Sequence, residues 1–245
     1  MRLLNVHNLS FHEFYDEAPP YVTASHRWQK EPEATMEDVL QKHNTNSAGF
    51  QKVMGFTQSV RNHVTGMDWV WIDTCCIDQR NNPEVSEAVI SMFRWYNNAQ
   101  VCLAYLQDVE DPTDFDAFRQ SEWFKRGWTL QELLAPRLVI FLTRDWEIIG
   151  HKGDKQRKRI PTGPSLELHI AQATGIPAQV LSDYQQSYNF PIDDRLKWME
   201  GRSTKRPEDT SYCLFGMFDV SIPVLYGEGK EKARQRLLDE IERQE

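Results

Sequence analysis

The alternation of short apolar segments with segments of helical spacing is the feature that most restricts the fold. Residues 69–77, 101–109 and 138–142 are rich in aliphatic and aromatic side chains, as strands buried on both faces are. The intervening residues 85–96 and 124–136 carry apolar side chains at helical spacing and predict helices. Because strands joined by helices at short spacing pair in parallel, the pattern predicts an α/β fold with a parallel sheet and helices on both faces.

The two ends of the chain differ in their patterns. Residues 21–28 follow a Pro-Pro pair and predict a first strand. The remaining helical patterns fall at 36–42, 50–63, 165–174, 178–184, 192–199, 209–218 and 228–245. A segment rich in Gly, Pro and basic residues, 150–164, separates the strand-rich part from most of these helices. We therefore expect an α/β core over residues 1–149 and a mostly helical extension of the same domain over residues 150–245.

Composition places the chain among soluble globular proteins. A length of 245 residues with 40% hydrophobic content is enough for a sizeable core. No apolar run approaches the roughly 18 residues that a membrane-spanning helix requires. The first residues, MRLLNVHNLSFHEF, turn polar too early for a signal peptide. We therefore expect a cytoplasmic protein without a membrane span.

The four cysteines are expected to be free thiols in such a protein. Cys75 and Cys76 fall inside a predicted strand and would point to opposite faces of it. No cysteine pair has the CxxC spacing of zinc or redox sites, so we predict no metal site and no disulfide. A nucleophilic Cys75 or Cys76 beside His26 is the less favoured alternative, because nothing in the sequence predicts a stabilised thiolate.

The net charge of −8 argues against a general nucleic-acid-binding protein, because phosphate binding requires a dense basic face. The basic segment HKGDKQRKRIP, residues 151–161, is a local exception. It has no aromatic residues that could stack on bases, so we interpret it as a solvated loop. The segment LYGEGKEKA, residues 225–233, lacks the GxxxxGKS or GxxxxGKT spacing of a phosphate-binding loop, which favours a simple turn before a helix.

Polar side chains occur where the predicted strands end, at the edge where open parallel sheets bind ligands. They follow the first and second predicted strands, at Ser25, His26, Arg27, Trp28, Asp73, Thr74 and Asp78. A hydroxyl, an arginine, carboxylates and an indole are suited to holding a ribose, a phosphate and a stacked heterocycle. These residues therefore predict a substrate-binding site.

Glu132 is the candidate catalytic residue. On its predicted helix it lies one turn after Trp128, at i+4, so a carboxylate stands beside an aromatic face suited to a sugar or a cationic ring. The alternative is an ordinary exposed or salt-bridged glutamate, with Trp128 in the core. Asp73, inside an apolar segment, must be paired or hydrogen-bonded, as a functional acid or as a structural anchor to a residue such as Arg126.

Three segments, YVTASHRW, VWIDTCCIDQ and WFKRGWTLQE, resemble the three blocks of the fungal heterokaryon-incompatibility (HET) domain. The later segment RSTKRPEDTSYCLFGMFDVSIPVLYGEGKEKARQRL resembles the continuation found in HET domains that precede a NACHT-type nucleotide-binding module. Trp28 is followed by Gln29, where the family commonly has glycine. The resemblance implies an intracellular trigger of cell death in non-self recognition, within a longer protein.

The HET family is in turn distantly similar to TIR domains, which implies a TIR- and flavodoxin-like sheet. The plant-type TIR pattern Trp-Cys-Leu-Asp-Glu-Leu is matched here by the segment from Trp128 to Leu133, Trp-Thr-Leu-Gln-Glu-Leu. Its glutamate is catalytic in TIR enzymes that hydrolyse NAD, which carries over onto Glu132. The resemblance therefore implies an NAD glycohydrolase that needs no bound cofactor and self-associates. The alternative is a non-enzymatic death adaptor that works by homotypic assembly.

Overall fold

A computed structural model describes residues 1–153 and 160–244 of the chain. A seven-stranded sheet forms its centre, with the strands in the order β2-β1-β4-β3-β5-β6-β7. The strands are β1 Arg2–Asn5, β2 Phe11–Glu13, β3 Val22–His26, β4 Trp69–Trp71, β5 Val101–Tyr105, β6 Leu138–Leu142 and β7 Ile148–Gly153. Strands β4, β3, β5 and β6 pair in parallel, whereas β1, β2 and β7 run antiparallel to their neighbours.

The predicted α/β fold with a helical C-terminal part is confirmed. The four parallel strands follow the order of flavodoxin-like sheets, in which the first strand lies between the second and the third. The sheet is mixed rather than purely parallel, because antiparallel strands close both edges. The N-terminal hairpin β1–β2 was not predicted, although Leu3 and Leu4 are fully buried in it.

The helices flank the sheet and fill most of the C-terminal half. They are α1 Met36–Gln41, α2 Ala48–His63, α3 Asp73–Cys76, α4 Asn82–Asn98, α5 Phe115–Gln120, α6 Thr129–Leu134, α7 Glu167–Thr174, α8 Ala178–Ser182, α9 Ile192–Lys197, α10 Asp209–Tyr212 and α11 Lys230–Gln244. N-cap side chains stabilise the first turns of several of these helices. Thr35 and Asp38 form a capping box at α1, and the Asn81 side chain accepts from Glu84 N at α4.

The predicted strand over 69–77 is too long. Strand β4 ends at Trp71, and Asp73 begins the short helix α3. Ile72 is still extended and precedes the turn, so the apolar residues after it are buried by a helical turn rather than by the sheet. Cys75 and Cys76 therefore do not alternate across a strand. The next strand, β5, likewise ends at Tyr105 instead of continuing to residue 109.

The segment predicted as a solvated loop begins as an edge strand. His151 and Lys152 lie in β7 and are almost fully buried, and Lys152 Nζ donates to the Pro136 carbonyl oxygen at 2.7 Å. Four consecutive residues of β7 are buried, so the strand lacks the alternation of buried and exposed positions, and its polar side chains hid it in the sequence. Residues 154–159, which carry most of the basic charge of the segment, lie outside the described residues. The expected boundary between residues 149 and 150 falls within β7.

The C-terminal helices pack on the sheet-bearing half through one continuous hydrophobic core. Tyr212 and Phe215 are fully buried, and a β-carbon on Gly216 would come within 2.0 Å of Phe93 on α4. A short backbone bridge adds polar contact, since Ser203 N donates to the Lys125 carbonyl oxygen at 2.7 Å. None of the helices in the described part of the chain has the length and apolar character needed to cross a membrane.

Candidate functional site

A cavity of about 310 Å³ lies at the carboxyl ends of β3 and β4, between helices α4 and α6. Its position is the one at which open parallel sheets bind ligands. Apolar residues of α4 form one wall, and polar and aromatic side chains form the rest. The polar and aromatic residues are His26, Trp28, Asp73, Gln79, Arg126, Trp128, Thr129, Glu132, Lys205, Arg206, Asp209 and Tyr226.

Glu132 is buried at the wall of this cavity, with 3% of its surface exposed. It is neither an exposed nor a salt-bridged glutamate, because its Oε2 accepts a hydrogen bond from the Ser25 hydroxyl of β3. Burial and the nearby negative charge of Asp73 raise the pKa of Glu132 to about 8, against the opposing effects of Ser25, Arg126 and Arg202. The protonated carboxyl is therefore the main form of Glu132 at neutral pH.

Ser25 lies behind Glu132 and is fully buried. Its hydroxyl donates to Glu132 and accepts from Trp123 Nε1 at 2.9 Å. This chain of hydrogen bonds fixes the orientation of the carboxyl. Ser25 is therefore placed to position Glu132. The sequence had suggested it as a ligand contact, but it is not among the residues that line the cavity. Trp123 belongs to the core, with 1% of its surface exposed.

Asp73 lies across the cavity and has two internal partners. Its Oδ1 lies 3.1 Å from His26 Nε2, and its Oδ2 accepts from Trp28 Nε1 at 2.6 Å. Burial opposes the ionisation of Asp73, but the hydrogen bonds from His26 and Trp28, together with the nearby charge of Lys52, outweigh it and hold the pKa of Asp73 below its ordinary value. The sequence allowed Asp73 to be a functional acid or a structural anchor. If it is an anchor, its partners are His26 and Trp28, and not Arg126.

A buried lysine supports His26 from the other side. Lys52 Nζ donates to His26 Nδ1 at 3.0 Å and to Glu33 Oε1 at 2.7 Å. Because an ammonium group can only donate, Nδ1 must accept and Nε2 must carry the hydrogen that is donated to Asp73. This network fixes one imidazole tautomer and, through Asp73, the indole of Trp28.

Of the nine residues considered, the structure brings five to the cavity wall: His26, Trp28, Asp73, Trp128 and Glu132. Thr74 is buried in α3 and does not line the cavity. Ser25 supports the wall from behind. The remaining two lie elsewhere. Arg27 points to another part of the surface, where it pairs with Glu122 at 3.7 Å. Asp78 accepts from the backbone N–H of Arg80 at 3.1 Å and stabilises a turn. Arg27 directly follows the last residue of β3, between His26 and Trp28, and Asp78 lies in the turn after α3.

Four residues of the helical extension line the cavity and were missed: Lys205, Arg206, Asp209 and Tyr226. Asp209 accepts from Trp128 Nε1 and from the Tyr226 hydroxyl, each at 3.1 Å. The Arg206 guanidinium lies 3.8 Å from the centre of the Tyr226 ring, and Lys205 Nζ lies 5.3 Å from that of Trp28. The adjacent cations Lys205 and Arg206 in STKRPED could have indicated a binding site, but nothing in the sequence showed that this segment packs near the sheet.

The cavity combines three carboxyl groups, two indoles and several cations. Cys75 and Cys76 are not part of its wall, and the hydrogen bond between them together with burial raises the pKa of the Cys75 thiol well above its ordinary value. A cysteine nucleophile at this site is therefore unsupported. Within residues 1–153 and 160–244, no group of three or more His, Cys, Asp or Glu side chains is arranged to hold a metal ion.

Comparison with known proteins identifies the domain. Residues 21–115, which include β3, α3 and α4, match the family described as "Heterokaryon incompatibility protein (HET)". The chain is also similar to the Vegetative incompatibility protein HET-E-1 of Podospora anserina, with 41% identity over 232 residues. The alignment covers 91% of this chain and 16% of that relative, which is a much longer protein. No solved structure matches the chain. The chain therefore carries a heterokaryon incompatibility (HET) domain.

Proposed function

We propose that this HET domain is a cell-death effector of fungal non-self recognition and acts as a TIR-like NAD glycohydrolase. The observation that carries the proposal is the placement of Glu132. Its carboxyl group lines a cavity large enough for part of a dinucleotide, one helical turn from the indole of Trp128. Death follows, in this proposal, from loss of NAD or from a nucleotide product made in the cytoplasm.

The reaction cleaves the bond between C1′ of the ribose and the ring nitrogen of nicotinamide. The bonding electrons move to the cationic ring, which leaves as neutral nicotinamide, and the ribose acquires oxocarbenium character before water adds to C1′ and loses a proton. Ionised Glu132 stabilises this developing positive charge. A cationic substrate in the cavity favours the ionised carboxylate, so binding itself opposes the raised pKa of Glu132.

Trp128 is the ring platform in this reaction. Its indole N–H is fixed by Asp209, which leaves the face of the indole to pack against a planar ligand. Trp28 is less free, because its N–H is bonded to Asp73 and Lys205 lies over its ring. NAD is the substrate, and no resident cofactor is needed.

The test is NAD turnover by the purified domain and by Glu132→Gln. Glutamine keeps the shape of the protonated side chain and can accept from Ser25, but it cannot become an anion. We expect turnover by the wild-type protein and a loss of at least 100-fold in Glu132→Gln, measured as release of nicotinamide. Ser182→Ala, an exposed change remote from the cavity, serves as the control. Equal turnover by the wild-type protein and Glu132→Gln excludes this role for Glu132.

The second candidate is a non-enzymatic adaptor that signals by homotypic assembly. It is favoured by the observation that both Asp73 and Glu132 have internal hydrogen-bond partners, as structural anchors do. In that case Glu132→Ala lowers the melting temperature by leaving Ser25 with an unsatisfied donor, and killing falls only as far as stability does. A Glu132 variant that is as stable as the wild type, assembles normally and no longer kills contradicts the adaptor.

The proposed activity also involves partners. TIR-type sites are often completed by a neighbouring molecule, so we propose that self-association activates the domain. The long relative leaves room for a regulatory module in the full-length protein, and a NACHT-type nucleotide-binding module is our proposal for it. Turnover that increases more than linearly with protein concentration, together with a larger species in size-exclusion chromatography, is the expected result for an assembling enzyme.

A further inference from the structure

Three cationic side chains stand at the mouth of the cavity with no carboxylate at ion-pair distance within the described residues. Arg126, Lys205 and Arg206 all line the cavity, and none of them forms a side-chain hydrogen bond or an ion pair within the described part of the chain. Elsewhere in this acidic protein, arginine and lysine are commonly paired, as Arg27 is with Glu122 and Arg236 with Glu228. The N–H donors at the mouth are therefore open to a ligand.

Aromatic rings, and not acidic side chains, position two of these cations. Arg206 stacks on Tyr226 and Lys205 lies over Trp28. Both rings are themselves fixed, because the Tyr226 hydroxyl is bonded to Asp209 and the Trp28 indole to Asp73. A cation held against a ring face keeps its charge and its donors, whereas an ion pair would occupy them.

The carboxyl groups of the cavity have other hydrogen-bond partners than these cations, although the charge of Arg206 acts on Asp209 and that of Arg126 on Glu132. Asp73 already accepts from His26 and Trp28, and Asp209 from Trp128 and Tyr226. Glu132 is bonded to Ser25 at the inner wall. The cavity is thus polarised, with carboxyl groups inside and free cations outside. Such a site fits a ligand whose outer end is anionic.

We propose that Arg126, Lys205 and Arg206 form a phosphate-binding subsite, so that the helical extension selects ligands bearing a diphosphate and excludes unphosphorylated nucleosides. This inference rests on the proposed function, since it names the substrate class of the same cavity. Arg126 comes from the segment before α6, and the other two come from the segment before α10. The substrate-binding site is complete only when the extension is packed against the sheet.

Calorimetric titration with ADP and with adenosine tests the subsite without any catalytic step. We expect ADP to bind the wild-type protein at least tenfold more tightly than adenosine. Lys205→Gln/Arg206→Gln should weaken ADP at least tenfold and leave adenosine nearly unchanged. The matched control is Lys232→Gln/Arg234→Gln, which removes the same charge from the exposed face of α11 and should change ADP affinity less than twofold. Lys205→Arg/Arg206→Lys retains both charges and should restore most of the affinity.

The outcomes separate the subsite from the reaction. Equal affinity for ADP and adenosine, no ADP binding by the wild-type protein, or equal ADP affinity in Lys205→Gln/Arg206→Gln and the control would each overturn the subsite. If ADP binding depends on the pair while NAD is not cleaved, the subsite stands and the hydrolase fails. If NAD is cleaved with the same KM by Lys205→Gln/Arg206→Gln and by the control, the hydrolase stands and the subsite fails.

Discussion

Two carboxyl groups in one cavity are held in opposite protonation states. Asp73 keeps a pKa below its ordinary value because His26 and Trp28 hydrogen-bond its charged form, although burial works against this. Glu132 has a pKa of about 8 because burial and the charge of Asp73 outweigh the opposing effects of Ser25, Arg126 and Arg202. Such a pair, with pKa values driven apart by the surroundings, is typical of acid–base sites. One buried carboxyl with a shifted pKa would be weaker support for such a site than the pair.

The raised pKa of Glu132 predicts a specific pH dependence of stability. The protonated form is favoured in the folded state, so its stabilising contribution is complete below the ordinary pKa of 4.5 and is lost as pH rises through about 8. Glu132→Gln mimics the protonated form at every pH. Relative to that variant, the wild-type free energy of unfolding should therefore fall by about 1.4 kcal/mol per pH unit at most between these values.

Urea unfolding of both proteins from pH 5 to pH 8 measures this difference. Subtracting the two curves removes the contributions of all other titrating groups that the substitution leaves unchanged. A difference that stays constant over the range would show that Glu132 is already ionised in the folded protein, and would remove the physical basis for its raised pKa.

At the scale of elements, helix α6 is held at both ends and along its length. Ser25 of β3 bonds its buried face through Glu132, and Lys152 of β7 donates to the Pro136 carbonyl oxygen just beyond its last turn. At its N-terminal side, Gly127 N donates to the Ser203 carbonyl oxygen at 2.9 Å. The catalytic candidate is thus carried by a helix fixed to two strands and to the extension.

Gly127 should not tolerate a side chain, because the extension approaches it closely. A β-carbon there would come within 2.5 Å of Thr204 Cγ2 and within 2.7 Å of Met199 Cε. Gly127→Ala is therefore expected to lower the free energy of unfolding by about 1–3 kcal/mol, the usual cost of overpacking. Adding Thr204→Ser removes the nearer methyl group and should recover part of that loss in thermal unfolding. Additive effects of the two changes would contradict the contact.

At the scale of the whole molecule, the sheet-bearing half and the extension share one core and one cavity. Buried residues of both halves belong to the same hydrophobic cluster, including Met92 on α4 and Phe215 beyond α10. We therefore predict a single cooperative unfolding transition for the described domain, with equal calorimetric and van't Hoff enthalpies. Two separate transitions, or a larger calorimetric enthalpy, would mean that the extension folds as an independent unit.

The sequence predicted the elements that have a clear local pattern of apolar residues and flanking turn residues. Strand β6 was predicted with its observed bounds, and helix α4 was bracketed by Pro83 and Asn98. The errors lie where tertiary contacts replace a missing local pattern. Strand β7 hides two buried polar residues, and α3 bends an apolar segment away from the sheet directly after β4. A run of apolar residues predicts burial, but it does not predict whether a strand or a helix contains the run.

By itself the sequence determined the α/β class, and it predicted a site at the carboxyl edge of the sheet. Both follow from periodicity and from the chain order of strands and helices, which are local properties. The catalytic role of Glu132 came from the resemblance to TIR domains and stays a prediction. Only the tertiary structure decided the partners: Ser25 behind Glu132, His26 and Trp28 on Asp73, and the extension closing the cavity. Hydrogen bonds and charges act over a few ångströms in space, and residues 45 to 107 positions apart meet there only after the chain has folded.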